Sequence, residues 1–291
     1  MRCLSLFAFL LVVGFAYAAE PWQQPSDASP VFSPDERITV FSRGEGVDRH
    51  LYISERTSKD WTAAAPAPFS GHWMDLEPAM APDGSYLVFV SNRPAHDGGA
   101  ALDGYFNGKP RPGRGGNLWR VSRMAHGWGA PQRLPDVIND GTSVFSPAVA
   151  ADGSVYFMKP DPVSGKFRLY LSRRKEGQYQ AASPLSFSDG TAGDYDPAVA
   201  PDQSFVVFSS SRPPSTTSGS ALFIAFATAQ GWGPPQPLGI LGIEARLSPD
   251  LATLYYSGSD QRIHRFALAD WRAGVEGRGE QTGTATAPPE K

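Results

Sequence analysis

A short turn built around an aspartate occurs five times in this chain and constrains its fold more than any other feature. In the clearest copy, Pro82-Asp83-Gly84, proline presets φ and glycine tolerates the positive φ of a tight turn. The turn aspartates are Asp35, Asp83, Asp152, Asp202 and Asp250. Neighbouring copies lie roughly 50 residues apart, except that the step from Asp83 to Asp152 is about twenty residues longer. The chain is therefore a repeat with one insertion, which falls in the Gly/Pro-rich segment from Pro94 to Gly116.

Each copy has the same order of strand-like segments. A short strand precedes the turn, and an apolar strand such as Tyr86 to Val90 follows it. A third strand comes next, as in Leu118-Trp119-Arg120-Val121, and then an aromatic residue with prolines, as in Gly127 to Pro131. Proline is tolerated in such a segment if it forms a sheet edge. Four strands in each of five units predict an all-β fold, a β-propeller of five four-stranded blades, with six blades as the alternative.

The two ends of the chain suggest how the ring closes. The last unit has three clear strands, and Pro21-Trp22-Gln23-Gln24-Pro25 repeats the aromatic–proline pattern of a fourth strand. We therefore expect an N-terminal strand to complete the last blade, with Trp271 as the rival for that position. The predicted domains are a signal peptide over 1–18, the propeller over 19–272 and a disordered tail over 273–291, where apolar residues are scarce.

The first residues predict export. Met1-Arg2-Cys3 precedes an apolar run from Leu4 to Tyr17, and Ala16-Tyr17-Ala18 fits a signal-peptidase site. The expected location is periplasmic or secreted, with no transmembrane segment after cleavage. Cys3 is the only cysteine and would leave with the signal peptide, so we expect no disulfide in the mature chain. A formal net charge of −3 gives no reason to expect binding to nucleic acid.

A family resemblance follows from the unit around Asp152. Its motifs are Arg114-Gly115-Gly116, Asn117 to Arg123, Gly127 to Pro131, Ser146-Pro147-Ala148, Ala151-Asp152-Gly153 and Tyr156-Phe157. This pattern resembles the TolB-type Pro-Asp β-propeller repeat of exported bacterial proteins, over about Ser29 to Phe266. Ala151 departs from it, because the other copies have proline there. The resemblance implies a binding or scaffolding module in the periplasm, for a protein partner or a small ligand.

Charged residues of several copies are expected on one face of the ring. The starts of first strands and the ends of second strands meet there, together with the Pro94–Gly116 insertion, and we call it the insertion-bearing face. The candidate ligand-binding residues on it are Arg43, Glu77, Arg93, Lys159, Asp196, Arg212 and Glu244. Glu77 with Arg93, and Asp196 with Arg212, are predicted cross-strand neighbours that hold blade ends together or bind an anion, a sugar or a peptide terminus.

The insertion is the second candidate site. Its residues His96, Asp97, Tyr105, Phe106 and Arg111 are predicted to contact a partner, since long loops in compact domains are often functional. No metal site, cofactor or catalytic residue is predicted, because the histidines are scattered and no nucleophile motif is present. The alternative function is a propeller hydrolase acting on a glycan or lactone through Glu77, Asp196 and Glu244.

Overall fold

In a computed structural model, the chain forms five antiparallel sheets that follow one another in sequence. The structure describes residues 20–106, 109–216, 219–269 and 271. In each sheet the strands pair in chain order, so that the first strand pairs with the second and the second with the third. We number the sheets as blades 1 to 5 from the N-terminus.

The strands of the blades are as follows. Blade 1 comprises Ala28–Phe32, Ile38–Arg43, His50–Glu55 and Ala65–Pro66, and blade 2 comprises Asp75–Met80, Tyr86–Ser91, Asn117–Met124 and Gln132–Arg133. Blade 3 comprises Phe145–Val149, Val155–Pro160, Phe167–Ser172 and Ser183–Pro184, and blade 4 comprises Asp194–Val199, Phe205–Ser210, Ala221–Thr228 and Gln236–Leu241. Blade 5 comprises Ile243–Leu247, Thr253–Ser257 and Ile263–Ala267. The remaining strands are Gly104–Phe106 with Lys109–Arg111, Arg174–Lys175 with Gln178–Tyr179, Gly127–Trp128 and Gly231–Trp232. A single turn of 3-10 helix spans Gly46–Asp48.

The first strands surround a central axis and close the ring. The first strand of each blade contacts the first strand of the next, and the first strand of blade 5 contacts that of blade 1. Five apolar clusters fill the five junctions between neighbouring blades. The predicted β-propeller with five blades is confirmed, and the six-bladed alternative is excluded by the contact between blades 5 and 1.

The turn aspartates recur because each one stabilises its own turn. A carboxylate oxygen of every turn aspartate accepts a hydrogen bond from the backbone amide two residues later, at distances of 2.8–3.2 Å. Asp83 also accepts a bond from the Ser85 hydroxyl, and these bonds hold the pKa of Asp83 below its usual value. The repeat visible in the sequence is therefore a repeated local hydrogen-bonded turn. We call the side of the ring that carries these turns the turn face.

The N-terminal segment covers the outer edge of blade 5 without becoming a strand. Trp22 is buried and its ring packs edge-on against Phe32 and Tyr255, with centroids 5.5 and 5.9 Å away. Ser26 N donates to Gln261 O at 3.1 Å, which ties the segment to the last blade. Within the described residues, blade 5 has three strands, so the expected fourth strand is corrected to an irregular segment that packs by its tryptophan.

The rival segment does not supply that strand either. Residues 268, 269 and 271 have a helical conformation, and Trp271 packs, half-buried, against the apolar cluster between blades 4 and 5. The predicted signal peptide over 1–18 and the predicted tail over 273–291 lie outside the described residues. In the part of the chain that is described, no helix is both long enough and apolar enough to span a membrane.

Candidate functional site

A β-bulge in every first strand turns one polar residue toward the axis. The residues six positions before the turn aspartates are Ser29, Glu77, Ser146, Asp196 and Glu244. All five have a left-handed backbone conformation, with φ between 47° and 57°. Strand register shifts at each of them. Such a conformation costs roughly 1–2 kcal/mol for a residue with a side chain, so its fivefold recurrence points to a structural or functional need.

Four of these residues, Glu77, Ser146, Asp196 and Glu244, link the blades in a closed circuit with Ser42 and Arg49 of blade 1, and we call this circuit the axial belt. Its bonds are Glu77 N to Ser42 Oγ at 3.0 Å, Ser146 N to Glu77 Oε2 at 2.7 Å, Ser146 Oγ to Asp196 Oδ1 at 2.7 Å, Glu244 N to Asp196 Oδ2 at 2.9 Å and Arg49 Nη1 to Glu244 Oε1 at 3.1 Å. One bond crosses each junction between neighbouring blades. The predicted site residues Glu77, Asp196 and Glu244 therefore come together, and what they bind in this structure is the next blade.

Glu77 is the belt residue whose protonation responds to pH near neutrality. Burial, reinforced by the negative charges of Asp196 and Glu244, raises the pKa of Glu77 to about 7, although Arg246 opposes the shift. The carboxyl group is 7% exposed, so little water reaches it. Glu77 is therefore part protonated and part ionised at neutral pH.

Arg246 spans the channel below the belt. The equivalent positions in the other blades hold Val31, Ala79, Ala148 and Ala198, so blade 5 has an arginine where the other blades have a small apolar residue. This difference is visible in the sequence when the five turns are aligned. The Arg246 side chain is buried, and its Nε donates to Pro78 O of blade 2 at 3.2 Å. Since blades 5 and 2 are not neighbours, this bond crosses the axis. Arg246 thus closes the channel and supplies positive charge beneath three carboxylates.

A cavity of about 200 Å³ opens on the turn face beyond Arg246. Its walls are mainly alanines, valines and prolines from the first strands and their turns, and Arg246 is its charged lining residue. Arg246 donates from Nε to Pro78 O and from Nη1 to Ala245 O, whereas its buried Nη2 has no hydrogen-bond partner among the described residues. The channel therefore ends in an apolar well on this side.

The rim arginines are paired with aspartates that the sequence analysis did not assign to them as partners. Arg93 pairs with Asp75 at 2.5 Å and Arg212 with Asp194 at 2.8 Å, so the predicted Glu77–Arg93 and Asp196–Arg212 pairs are wrong. The bulge explains the error, because it adds a residue to the first strand and shifts the register, so that Asp75 lies opposite Ser91 and Asp194 opposite Ser210 at the ends of the second strands. An aspartate eight positions before the turn, repeated at 27, 75 and 194, was the available signal.

The two remaining candidate cations of the rim, Arg43 and Lys159, are also paired with aspartates. Arg43 pairs with Asp27 at 2.6 Å, and Lys159 pairs with Asp140. Burial raises the pKa of Asp75 even though Arg93 lies beside it. These candidate cations are therefore held in ion pairs within the protein. Among the described residues, no group of three or more His, Cys, Asp or Glu side chains is arranged to hold a metal ion.

The insertion folds back over the ring and forms a second cavity. Its hairpin pairs Gly104–Phe106 with Lys109–Arg111, and Tyr105 N donates to Ser143 Oγ at 3.1 Å. A cavity of about 230 Å³ lies between the insertion and blades 3 and 4. It is lined by Tyr105, Arg111, Arg114, Phe145, Met158, Phe167 and Tyr195. We call it the hairpin cavity.

Of the predicted loop residues, the structure brings Tyr105 and Arg111 to this cavity. His96 and Asp97 are exposed and do not line it, and Phe106 contributes backbone to the hairpin. Arg114 and the aromatic residues of blades 3 and 4 were missed. The length of the insertion could not show which part of the ring its hairpin would reach.

The exposed large apolar side chains are concentrated on one face. Seven described residues of this kind are more than 40% exposed, and they are Val47, Tyr105, Met124, Val137, Val163, Leu241 and Ile243. Six of the seven belong to the insertion-bearing face. They lie in the loops that lead into first or third strands, or at the strand ends next to those loops. Met124, at the far end of a third strand, belongs to the turn face. Val163 is 94% exposed at a loop tip, which is unusual for an apolar residue.

Comparison with known proteins gives structural similarity without sequence relatives. No protein-family model matches the chain. A search of curated proteins likewise gives no match.

Solved structures with a similar arrangement include two TolB proteins and a peptidase. TolB from Acinetobacter baumannii has a TM-score of 0.48 and 16% identity over 77% of this chain, and the match spans 46% of that protein. The putative TolB from Agrobacterium tumefaciens has a TM-score of 0.46 and 15% identity over 85% of this chain and 93% of its own. A puromycin-hydrolyzing peptidase from Mycobacterium tuberculosis has a TM-score of 0.44 and 15% identity over 79% of this chain and 34% of its own. Scores and identities this low carry no argument about function, so the assignment of a five-bladed propeller rests on the chain's own sheet topology.

Proposed function

We propose that this protein is an exported binding module that recognises a protein partner with its insertion-bearing face. The observation that carries the proposal is the placement of six of the seven exposed large apolar side chains on that face. Exposed apolar side chains that collect on one face are groups that a protein partner can bury at the core of an interface.

The axial belt favours binding over hydrolysis. Both Asp196 oxygens accept hydrogen bonds, from Ser146 Oγ on one side and from Ser209 Oγ and Glu244 N on the other. Both Glu244 oxygens are also engaged, by Arg49 Nη1 and Ser257 Oγ. A glycosidase needs two carboxyl groups that can reach a substrate, and these groups are buried and occupied.

A capture experiment with surface variants tests the proposed interface. Val163→Asp and Ile243→Asp place a charge on the insertion-bearing face, and Met124→Asp places one on the turn face at a residue whose exposure lies between those of Val163 and Ile243. Burying an unpaired charge in an interface should weaken binding about tenfold or more. We expect the double variant Val163→Asp/Ile243→Asp to lose the partner captured from cell envelopes, and Met124→Asp to retain it, as measured by quantitative mass spectrometry. Retention by the double variant together with loss by Met124→Asp would place the interface on the turn face.

Export is the second part of the proposal and has its own test. The charged start, the apolar run and the Ala16-Tyr17-Ala18 sequence support cleavage after residue 18. Expression of the full chain in a bacterium should give a periplasmic protein whose intact mass corresponds to a chain that begins at Ala19. A cytoplasmic protein with Met1 still present would remove this part of the proposal and leave the interface untouched.

A further inference from the structure

We propose that the hairpin cavity is a binding site for a carboxylate attached to an aromatic or branched aliphatic group. The hairpin cavity and the proposed partner surface share Tyr105, but the two claims rest on different observations. The partner surface rests on exposed apolar side chains, and the hairpin cavity rests on the charges and rings described below.

The charge of the site comes from two arginines, Arg111 and Arg114, that line the hairpin cavity. Six other arginines of the insertion-bearing face form ion pairs with Asp or Glu, namely Arg43, Arg49, Arg93, Arg133, Arg168 and Arg212. Among the residues that the structure describes, no carboxylate forms an ion pair with Arg111 or Arg114. Both line the same cavity. Two guanidinium groups without an ion-pair partner at one cavity favour a planar anion such as a carboxylate, since each guanidinium group can donate two parallel hydrogen bonds.

One acidic residue of the insertion, Asp103, binds the backbone of the insertion itself. Asp103 Oδ1 accepts a hydrogen bond from Gly113 N at 2.7 Å, which ties the two ends of the hairpin segment together. The Arg114 guanidinium group lies close to Gly46 of blade 1, where there is no side chain. A Cβ atom added at Gly46 would lie 3.0 Å from Arg114 Nη2. Arg111 and Arg114 are both exposed and line the hairpin cavity, so their charge is available to a ligand there.

Aromatic rings form the opposite wall of the hairpin cavity. Phe145 and Phe167 have centroids 6.1 Å apart in an edge-on arrangement, and Phe167 lies 5.9 Å from Tyr195. Met158 completes this wall, and Tyr105, 56% exposed, faces it from the insertion. Such walls suit an aromatic ring or a branched aliphatic group. A cavity of about 230 Å³ is below the ~300–1,000 Å³ of most small-molecule sites, so it suits one ring with its carboxylate.

Two sources of this chemistry are possible, a free organic acid and the C-terminal residue of a peptide. Phenylacetate serves as the probe for the first source, and N-acetyl-Gly-Phe with a free carboxylate serves for the second. Their neutral amides, phenylacetamide and N-acetyl-Gly-Phe-amide, have the same apolar groups and lack the charge. Affinities are measured by isothermal titration calorimetry on the full mature chain.

We expect at least one of the two carboxylates to bind and its amide to bind about tenfold more weakly, since the amide loses the charge-assisted hydrogen bonds to the arginines. Arg111→Gln and Arg114→Gln should each weaken the carboxylate by a similar factor. Lys109→Gln is the matched control, because it removes one positive charge from the same hairpin at a residue that does not line the cavity. The control should change the affinity less than about twofold, as expected for a screened surface charge.

The relative affinity of the two probes identifies the source. Tighter binding of N-acetyl-Gly-Phe points to a peptide terminus, and tighter binding of phenylacetate points to a free acid. The proposal is overturned if neither carboxylate binds at about 10 mM, if the amides bind as tightly, or if Lys109→Gln weakens binding as much as Arg114→Gln. A failure of the partner-capture experiment with these results intact would remove the proposed interface and leave the acid site standing.

Discussion

Replacing Glu77 by glutamine is expected to stabilise the protein at pH 8 and to leave its stability nearly unchanged at pH 4 to 5, about the usual pKa of a glutamate. The pKa of Glu77 is about 7 in the folded protein against 4.5 for an ordinary glutamate, so the folded state holds this proton more tightly than the unfolded state. Stability therefore falls as pH rises from 4.5 through 7, and the total loss is about 3 kcal/mol. Glutamine cannot ionise, and its amide oxygen can accept the bond from Ser146 N that Glu77 accepts at 2.7 Å.

Urea unfolding of wild type and Glu77→Gln between about pH 5 and 8.5 measures this difference. The free energies of unfolding should diverge as pH rises, with the variant above. Glu45→Gln, a substitution at an exposed residue of the same face, serves as the control and should track the wild type at every pH. If Glu77→Gln is the less stable protein at pH 8, then the ionised carboxylate stabilises the axial belt, and the account of its burial is wrong.

Removing the Asp194 carboxylate is expected to destabilise the protein by about 3–5 kcal/mol, the range seen when one partner of a buried ion pair is deleted. Asp194 is fully buried and accepts bonds from Ser188 Oγ and Ser210 Oγ, each at 2.7 Å, and from Arg212 at 2.8 Å. Asp194→Ala leaves Arg212 with no counter-charge and leaves two buried hydroxyls without this acceptor.

The matched control for Asp194→Ala is Asp136→Ala. Asp136 also pairs with an arginine, Arg133, but the Asp136 side chain is 86% exposed. Water replaces a partner at an exposed site, so this variant should unfold at nearly the wild-type urea concentration. If the two variants lose the same free energy of unfolding, burial does not determine how much the rim ion pairs contribute to stability. Asp75, which pairs with Arg93 in blade 2, offers an independent repetition of the same measurement.

The features that the sequence predicts well are local or repeated. The Asp83 turn is closed by a bond to the amide of Ser85, two residues away, so a short motif is enough to reveal it. The number of blades follows from counting such turns. The unexpected form of blade 5 has a physical reason, since Trp22 stabilises the closure by packing between Phe32 and Tyr255, which requires no strand.

The candidate site depends on geometry that residue counting does not contain. A bulge at Glu77 shifts the register, so Arg93 meets Asp75 two residues earlier than simple alternation predicts. The hairpin cavity joins Tyr105 of the insertion to Phe145 of blade 3, and this pairing depends on tertiary contacts such as Tyr105 N to Ser143 Oγ. Sequence reasoning located the insertion and two of its cavity residues, but it could not identify the opposite wall.

Hydrogen–deuterium exchange on the protein with and without its captured partner tests the central claim most directly, because it maps the covered face without any substitution. The account predicts slower exchange on binding in residues 94–106, 109–116 and 161–166, which belong to the insertion-bearing face. It predicts no change in the turn-face segments 81–85 and 248–252. Protection confined to those turns, around the apolar well beyond Arg246, would contradict the account and place the binding surface on the opposite side of the ring.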